Sequence, residues 1–434
     1  MEDQIIVFGR NDVEQLALSN RSSKCLPTLL DFKSNTKALP YIQEGIKTIR
    51  QGGNRMAILT HSNNLLLTLH DYKVNTTKSS SSTEHSNKAS IDVPSHDICL
   101  LRNNVIDVAV GFSHCLFLTK QHELYGFGNT SNGRIGISND QMMDNEEAVI
   151  TNTFKRLYNI KCYQVPLAHL LDDHEHVTSI FALGQGTICK TNLENLISFG
   201  WNYRGELCSG VKSDRQGPKK ITFFNSSVID GIYTGYSHVM FLVNKRTDPK
   251  LYVCGWNESY QLGLGHNSNV FSITENEYCT FRHEIIDIAL GYDFSIFLTR
   301  HGRVYGCGKL PSSPSDTIKT FGSFYEFKLD NITQITCGYY HALFVVNHKQ
   351  IFASGTNDCC QCGFSDEDET NYGISNCRPL NISNPQPLSL LSAGQYCSAI
   401  LFSCGHVKYE AEKRMKERLL LAVDESKLID MIIR

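Results

Sequence analysis

Three histidines occupy the same position in one four-residue phrase: Gly111-Phe112-Ser113-His114, Gly235-Tyr236-Ser237-His238 and Gly338-Tyr339-Tyr340-His341. Imidazole is the side chain that titrates nearest neutral pH, so these are the first candidates for proton transfer. Catalysis would also require a nucleophile or carboxylate placed beside each base. Three equivalent copies in equivalent turns point instead to one structural hydrogen bond made three times. Nothing in the chain resembles a nucleophile with its base and orienting acid, a phosphate-binding Gly-Lys-Ser loop or a paired-carboxylate site. No catalytic residue and no cofactor are expected.

Two further groups have the chemistry of metal ligands. Cys359-Cys360-Gln361-Cys362 contains a Cys-x-x-Cys, and Cys377 follows it. Zinc needs four ligands at fitting spacing, and no second close pair follows. The competing reading puts Cys362 in the place of a buried leucine. Asp144-Asn145-Glu146-Glu147 and Asp172-Asp173-His174-Glu175-His176 mix acids with histidines, and a solvated loop competes with a metal site in both. No metal site is expected. The chain holds 16 cysteines, and several stand where strands elsewhere carry small or apolar residues, among them Cys115, Cys254, Cys307 and Cys337. They read as buried apolar residues rather than disulfides.

The histidine phrase belongs to a larger repeat. Looser copies stand at Gly291-Tyr292-Asp293-Phe294, Gly394-Gln395-Tyr396-Cys397, Gly184-Gln185-Gly186 and Gly52-Gly53-Asn54-Arg55. Seven copies at a period of roughly 50 residues mark a closed array or a solenoid. Within a copy the apolar runs are strand-like. Ile286 to Leu290 alternates, Ser295 to Thr299 is β-branched and aromatic, Arg300-His301-Gly302 is a hairpin turn, and Val304 to Gly308 is a third strand. A second phrase follows the third strand, clearest as Gly255-Trp256-Asn257 with Gln261-Leu262-Gly263. Gly200-Trp201-Asn202 with Glu206-Leu207, Gly355-Thr356-Asn357 with Gln361-Cys362 and Gly9-Arg10-Asn11 with Gln15-Leu16 are related forms. Glycine permits the tight turn, asparagine can bond its own loop backbone, and the apolar residue after Gln tucks into the core.

Glycine, two residues, His, a strand, a hairpin, then Gly-x-Asn-x-x-x-Gln-Leu-Gly resembles the repeat of the regulator of chromosome condensation family. The resemblance covers roughly residues 1 to 405. It implies an all-β fold, a seven-bladed propeller of four-stranded blades. The founding member is an exchange factor for the GTPase Ran, in which acidic and histidine side chains on these turns face the GTPase and an inserted hairpin wedges out the nucleotide. Here the turns offer one acid, Asp293, and no obvious wedge follows the matching blade. The family also includes a plant ultraviolet photoreceptor that uses tryptophans on such turns; the two tryptophans of this chain, Trp201 and Trp256, stand in the other loop. Many other members are protein-binding scaffolds. The resemblance therefore implies a scaffold or adaptor that works through its turn face, with guanine-nucleotide exchange on a Ras-like small GTPase as the alternative.

The turn residues are strongly aromatic. Phe112, Tyr236, Tyr292, Asp293, Tyr339, Tyr340 and Tyr396 are the candidate partner-binding residues, because large stiff rings dominate binding hot spots. The competing reading packs each ring beneath its turn. Closure of the ring follows from two half-repeats: Gln4 to Gly9 is a third strand without predecessors, and Leu388 to Phe402 lacks a third strand. The N-terminal strand is thus expected to complete the last blade. A net charge of −3 gives no nucleic-acid footprint, and no apolar run is long enough to span a membrane. Met1-Glu2-Asp3 lacks a signal-peptide charge pattern, which points to an intracellular protein, cytoplasmic or nuclear. Protein partners are expected. A Ser-rich insertion at 76–96 reads as a mobile loop, 137–176 as a longer insertion, and 406–434 as an amphipathic helical tail.

Overall fold

The computed structural model describes residues 3–403 except 12–15, 19–21, 23–24, 31–37, 54, 69–97, 138–161, 225–226, 310–319, 366–370, 373–376, 383 and 385. The Ser-rich insertion, Asp144 to Glu147 and the expected helical tail lie outside the described residues.

Seven antiparallel sheets form a seven-bladed β-propeller. Six sheets are four-stranded, and the sixth blade splits its outer edge into two short strands, Asn371–Tyr372 and Arg378–Pro379. Blade four is representative: Ile229–Thr234, His238–Val243, Lys250–Gly255 and Val270–Glu275 run from the channel outward. First strands of adjacent blades touch one another around the central channel. Second strands such as His238–Val243 and Phe294–Thr299 are buried along their whole length, because a neighbouring blade covers each face. The core is consequently shared out between blades. One cluster joins Met240, Leu242 and Val253 of blade four to Ile285, Ile288 and Phe297 of blade five, and another joins Val7 and Leu401 to Ile46 and Ile58.

The last blade is closed by the N-terminus, as the half-repeats require. The strand Gln4–Gly9 pairs antiparallel with Cys397–Phe402, Ile5 opposite Leu401 and Val7 opposite Ala399. Its other edge pairs with Cys25–Leu29. Ile5, Val7 and Phe8 are fully buried.

The loop phrase also acts as its residues dictate. Asn257 Oδ1 accepts the Leu262 N–H at 2.9 Å, and Asn202, Asn357 and Asn11 accept from Leu207, Cys362 and Leu16 in the same way. Each donating residue is fully buried between blades. Cys362 therefore holds the leucine position in the core. Gly255 has φ +107°, and a Cβ there would lie 2.5 Å from the Ser237 carbonyl oxygen.

Residues 162–164 of the longer insertion form the outer strand of blade two. The Asp172 to His176 run is not merely solvated. Glu175 is buried and accepts from Thr191 Oγ1 at 2.7 Å and Asn195 Nδ2 at 2.8 Å. Lys220 on the outer strand of blade three pairs with Glu175 and, at 2.6 Å, with Asp172. Despite burial, these bonds hold the Glu175 carboxyl down at about 2. The run clamps the connection between blades two and three.

Candidate protein-interaction face

The turn between first and second strands emerges at the same end of every blade. Each turn is closed by a backbone bond such as Gly235 N–H to His238 O, 2.9 Å. The third copy closes one residue earlier than its glycine indicates, Leu183 bonding Gly186, while the first closes in register from Gly52 to Arg55. Gly184 and Gly53 thus stand where other blades carry Phe112, Tyr236, Tyr292 and Tyr339. The reason is steric. A Cβ on Gly184 would lie 2.3 Å from Tyr236 Cδ2, and one on Gly53 would lie 2.2 Å from the Phe112 carbonyl oxygen. Backbone bonds between neighbouring turns tie the face together, among them Phe112 N–H to Gly184 O at 3.0 Å and Tyr292 N–H to Tyr339 O at 2.9 Å.

The candidate residues do not line an open rim; their rings converge over the channel. Tyr236 stacks on Tyr292 with centroids 4.4 Å apart and meets Tyr339 edge-on at 5.2 Å. Phe112 stacks on Tyr339 at 6.2 Å. Tyr340 lies 5.1 Å from Tyr292 and 6.3 Å from Tyr396. All six rings are half-buried, between the core and the solvent. Tyr236 and Tyr339 also line the channel cavity, a space of about 90 Å³. Asp293, beside this floor, is largely buried, and its carboxyl is pushed up to about 6 by that burial.

Two contributors to this face were not among the candidates. Trp256 belongs to the asparagine loop, yet its ring meets Tyr292 edge-on at 5.4 Å. Arg204, from the corresponding loop of blade three, lies 3.9 Å over the Trp256 ring. Both loops fold back over the next blade's turn, so residues distant in the repeat meet. The place of Trp256 just after a third strand gave no sign of this. On the opposite side of the floor Arg134 donates to Ser113 Oγ at 2.6 Å and Gln185 Oε1 at 2.8 Å, and Gln185 donates to the Tyr236 hydroxyl at 2.7 Å. That relay fixes the orientation of Tyr236.

The repeated histidines are structural. His114, His238 and His341 place Nε2 at 3.3, 3.0 and 2.8 Å from Thr187, Ser295 and Ser398 of the following blade. Each hydroxyl in turn donates to a loop carbonyl of the histidine's own blade, Arg134, Gln261 or Gln361. Because the hydroxyl proton is committed, Nε2 must be the protonated donor in the neutral ring. Burial lowers all three histidines to about 3, helped at His114 by the Arg134 charge. They are neutral at physiological pH and latch blades together. Glu206 stands in the loop position held elsewhere by Gln261 and Gln361. Its Oε2 accepts the Arg204 N–H at 2.8 Å, and burial raises its carboxyl to about 7.

A family model for the Regulator of chromosome condensation (RCC1) repeat matches residues 105–134, 285–309 and 332–361. The chain is 22% identical over 293 residues to the ultraviolet-B receptor UVR8 of Arabidopsis thaliana, covering 66% of this chain and 61% of the relative. It is 30% identical over 169 residues to the secretion-regulating guanine nucleotide exchange factor of Bos taurus, covering 37% and 35%. Both matches thus span less than two thirds of the relative. Among solved structures, human WBSCR16 superposes with a TM-score of 0.69 at 13% identity, covering 93% of this chain and 99% of that one. Prp20p of Saccharomyces cerevisiae superposes with a TM-score of 0.68 at 15% identity, covering 96% and 95%. At such identities the superpositions establish the fold.

Proposed function

This chain is a β-propeller of the regulator of chromosome condensation family, and we propose that it is a protein-binding scaffold or adaptor working through its turn face. The observation that carries the reading is the floor of half-buried aromatic rings at one mouth of the channel. Rings held by mutual stacking offer large contact area with little conformational entropy to lose on binding. The reading assigns no small-molecule chemistry to this face: its histidines are neutral and committed to inter-blade bonds. Localisation within the cell, cytoplasmic or nuclear, belongs to the same proposal. Among the described residues no helix is long and apolar enough to cross a membrane.

Affinity capture tests it. Replacing Tyr236, Tyr292 and Tyr339 together with Ala should abolish capture of partners held by the intact protein, since hot-spot rings are worth about 2 kcal/mol or more each. A melting curve recorded beside the capture must still show a cooperative fold. A folded triple variant that retains every partner would remove the turn face from the reading.

Guanine-nucleotide exchange on a Ras-like small GTPase is the second reading. It is supported by the partial likeness to a secretion-regulating guanine nucleotide exchange factor, and by the fold shared with Prp20p, a protein that binds Gsp1p. Against it stands the chemistry of the face, where Asp293 is the one acid among the turn candidates. The expected result is no acceleration of GDP release from Ran. Release accelerated by substoichiometric amounts of this protein would put exchange ahead of the scaffold.

A further inference from the structure

Residues 201–224, the loop and outer strand that end blade three, hold five lysines and arginines against two acids, Glu206 and Asp214. Glu206 is buried and bonds the Arg204 backbone N–H. Lys220 pairs with Glu175 and Asp172, and Arg215 donates to the Ile137 carbonyl on the side of blade two. Among the described residues, Arg204, Lys212 and Lys219 have no carboxylate within ion-pair distance, the exposed Asp214 included. On the adjoining loop Glu258 accepts from Asn269 Nδ2 at 3.1 Å. Rings and a carbonyl hold the three cations instead. Lys212 Nζ lies 3.5 Å over the Tyr203 ring, and Tyr203 stacks on Trp201 at 5.8 Å with planes 10° apart. Arg204 lies over Trp201 at 5.8 Å and over Trp256 at 3.9 Å. Lys219 donates to the Ser209 carbonyl at 3.1 Å. The loop is pinned from within, because Asn202 Nδ2 donates to Ser209 Oγ at 2.8 Å and to the Val211 carbonyl at 2.7 Å. Through Trp256, which meets Tyr292, the cluster is continuous with the aromatic floor.

A ring face orients a cation without neutralising it. Ammonium and guanidinium groups held this way keep donors for a carboxylate. Lys212 and Lys219 are exposed and Arg204 is half-buried, so all three are within reach of a partner. These observations discriminate among partners. A basic segment would meet like charge. An aliphatic segment would bury three cations without pairing them, at a desolvation cost. A nucleic-acid base would lack an open ring to stack on, because Lys212 covers Tyr203 and Arg204 lies over both tryptophans. We infer that the partner lays an acidic segment on this loop of blade three, its carboxylates paired with Lys212, Arg204 and Lys219. The inference rests on the reading of the turn face as the partner surface and names the chemistry of what its outer edge takes.

The test uses the full chain and synthetic nonapeptides of glycine and serine with three central glutamates, glutamines or lysines, beside an oligothymidylate of equal length. Binding is followed by NMR or calorimetry. The glutamate peptide should bind about tenfold or more tighter than the glutamine and lysine peptides, and its advantage should shrink as salt is raised. Lys212→Gln should weaken the glutamate peptide about three- to fivefold, the size of one exposed ion pair, and leave the glutamine peptide unchanged. Lys212→Arg should restore the loss. Arg246→Gln removes the same charge from an exposed hairpin at the opposite end of blade four and should change nothing. Equal binding of the glutamate and glutamine peptides overturns the inference. So does an unchanged preference in Lys212→Gln, an equal loss in Arg246→Gln, or tighter binding of the oligothymidylate than of the glutamate peptide. Failure here is separable from failure of the scaffold reading. If the peptides are not distinguished but the triple tyrosine variant still loses its partners, only the acidic-segment inference falls. If the folded triple variant keeps its partners and the glutamate preference persists, the aromatic floor falls and this inference stands.

Discussion

Deleting residues 1–10 is expected to destabilise the propeller by several kcal/mol and to broaden its melting transition. The deleted strand lies inside its blade. It bonds Cys397–Phe402 along one edge and Cys25–Leu29 along the other. Removing it leaves two unpaired strand edges where a propeller ordinarily protects them. It also removes Ile5, Val7 and Phe8, all fully buried. Burial of each such side chain is worth about 1.5–3 kcal/mol. Ile5 and Val7 pack against blade one, while Phe8 packs against blade six, so both interfaces of the last blade are opened at once. The single substitution Phe8→Ala separates packing from pairing, with an expected loss of about 3–5 kcal/mol. Chemical denaturation of the intact chain, the deletion and Phe8→Ala measures all three. An unchanged midpoint in the deletion variant would rule out closure by this strand.

This closure was legible from the sequence because two complementary half-repeats stand at opposite ends of the seven copies. The asparagine loops were legible for a similar reason: glycine, asparagine and a buried apolar residue each have one physical task, and the spacing ties the tasks together. What escaped the sequence was whatever depends on a neighbouring blade. The copy containing Gly184 is offset by one residue, because its closing bond from Leu183, not the glycine, sets the register. The hydroxyls of Thr187, Ser295 and Ser398 belong to ordinary strand residues until the histidine of the preceding blade is placed beside them. Trp256 joins Tyr292 only because its loop folds across the next turn. The aromatic residues were identifiable by type and position. Their convergence into one floor was not, because side-chain direction at a turn follows from the curvature of the closed ring.

The histidine latches give the fold a marked acid sensitivity. In the folded chain His114, His238 and His341 are held at about 3, against an ordinary value of 6.5. The unfolded chain therefore binds protons that the folded chain refuses. Stability from this source is fully present above pH 6.5 and is lost as pH falls from there toward 3, at about 1.4 kcal/mol per pH unit for each histidine. Three latches lose about 5 kcal/mol between pH 6.5 and pH 5. Glu206 contributes with the opposite sign. Its folded value of about 7 lies above the ordinary 4.5, so its contribution is complete below pH 4.5 and is lost as pH rises to 7. Glu206→Gln should remove that penalty, because glutamine fills the equivalent site as Gln261 and Gln361, each with Oε1 accepting a loop N–H. The variant should be more stable than the intact chain by up to about 3 kcal/mol at pH 8 and indistinguishable from it at pH 4.5. Urea midpoints between pH 4.5 and pH 8 measure both effects. The intact chain should weaken steeply below pH 6.5, above the range in which ordinary carboxylates titrate. A flat midpoint from pH 7 to pH 5 would mean that the folded chain takes up protons on these histidines as readily as the unfolded chain, and the buried neutral state assigned to them would be wrong.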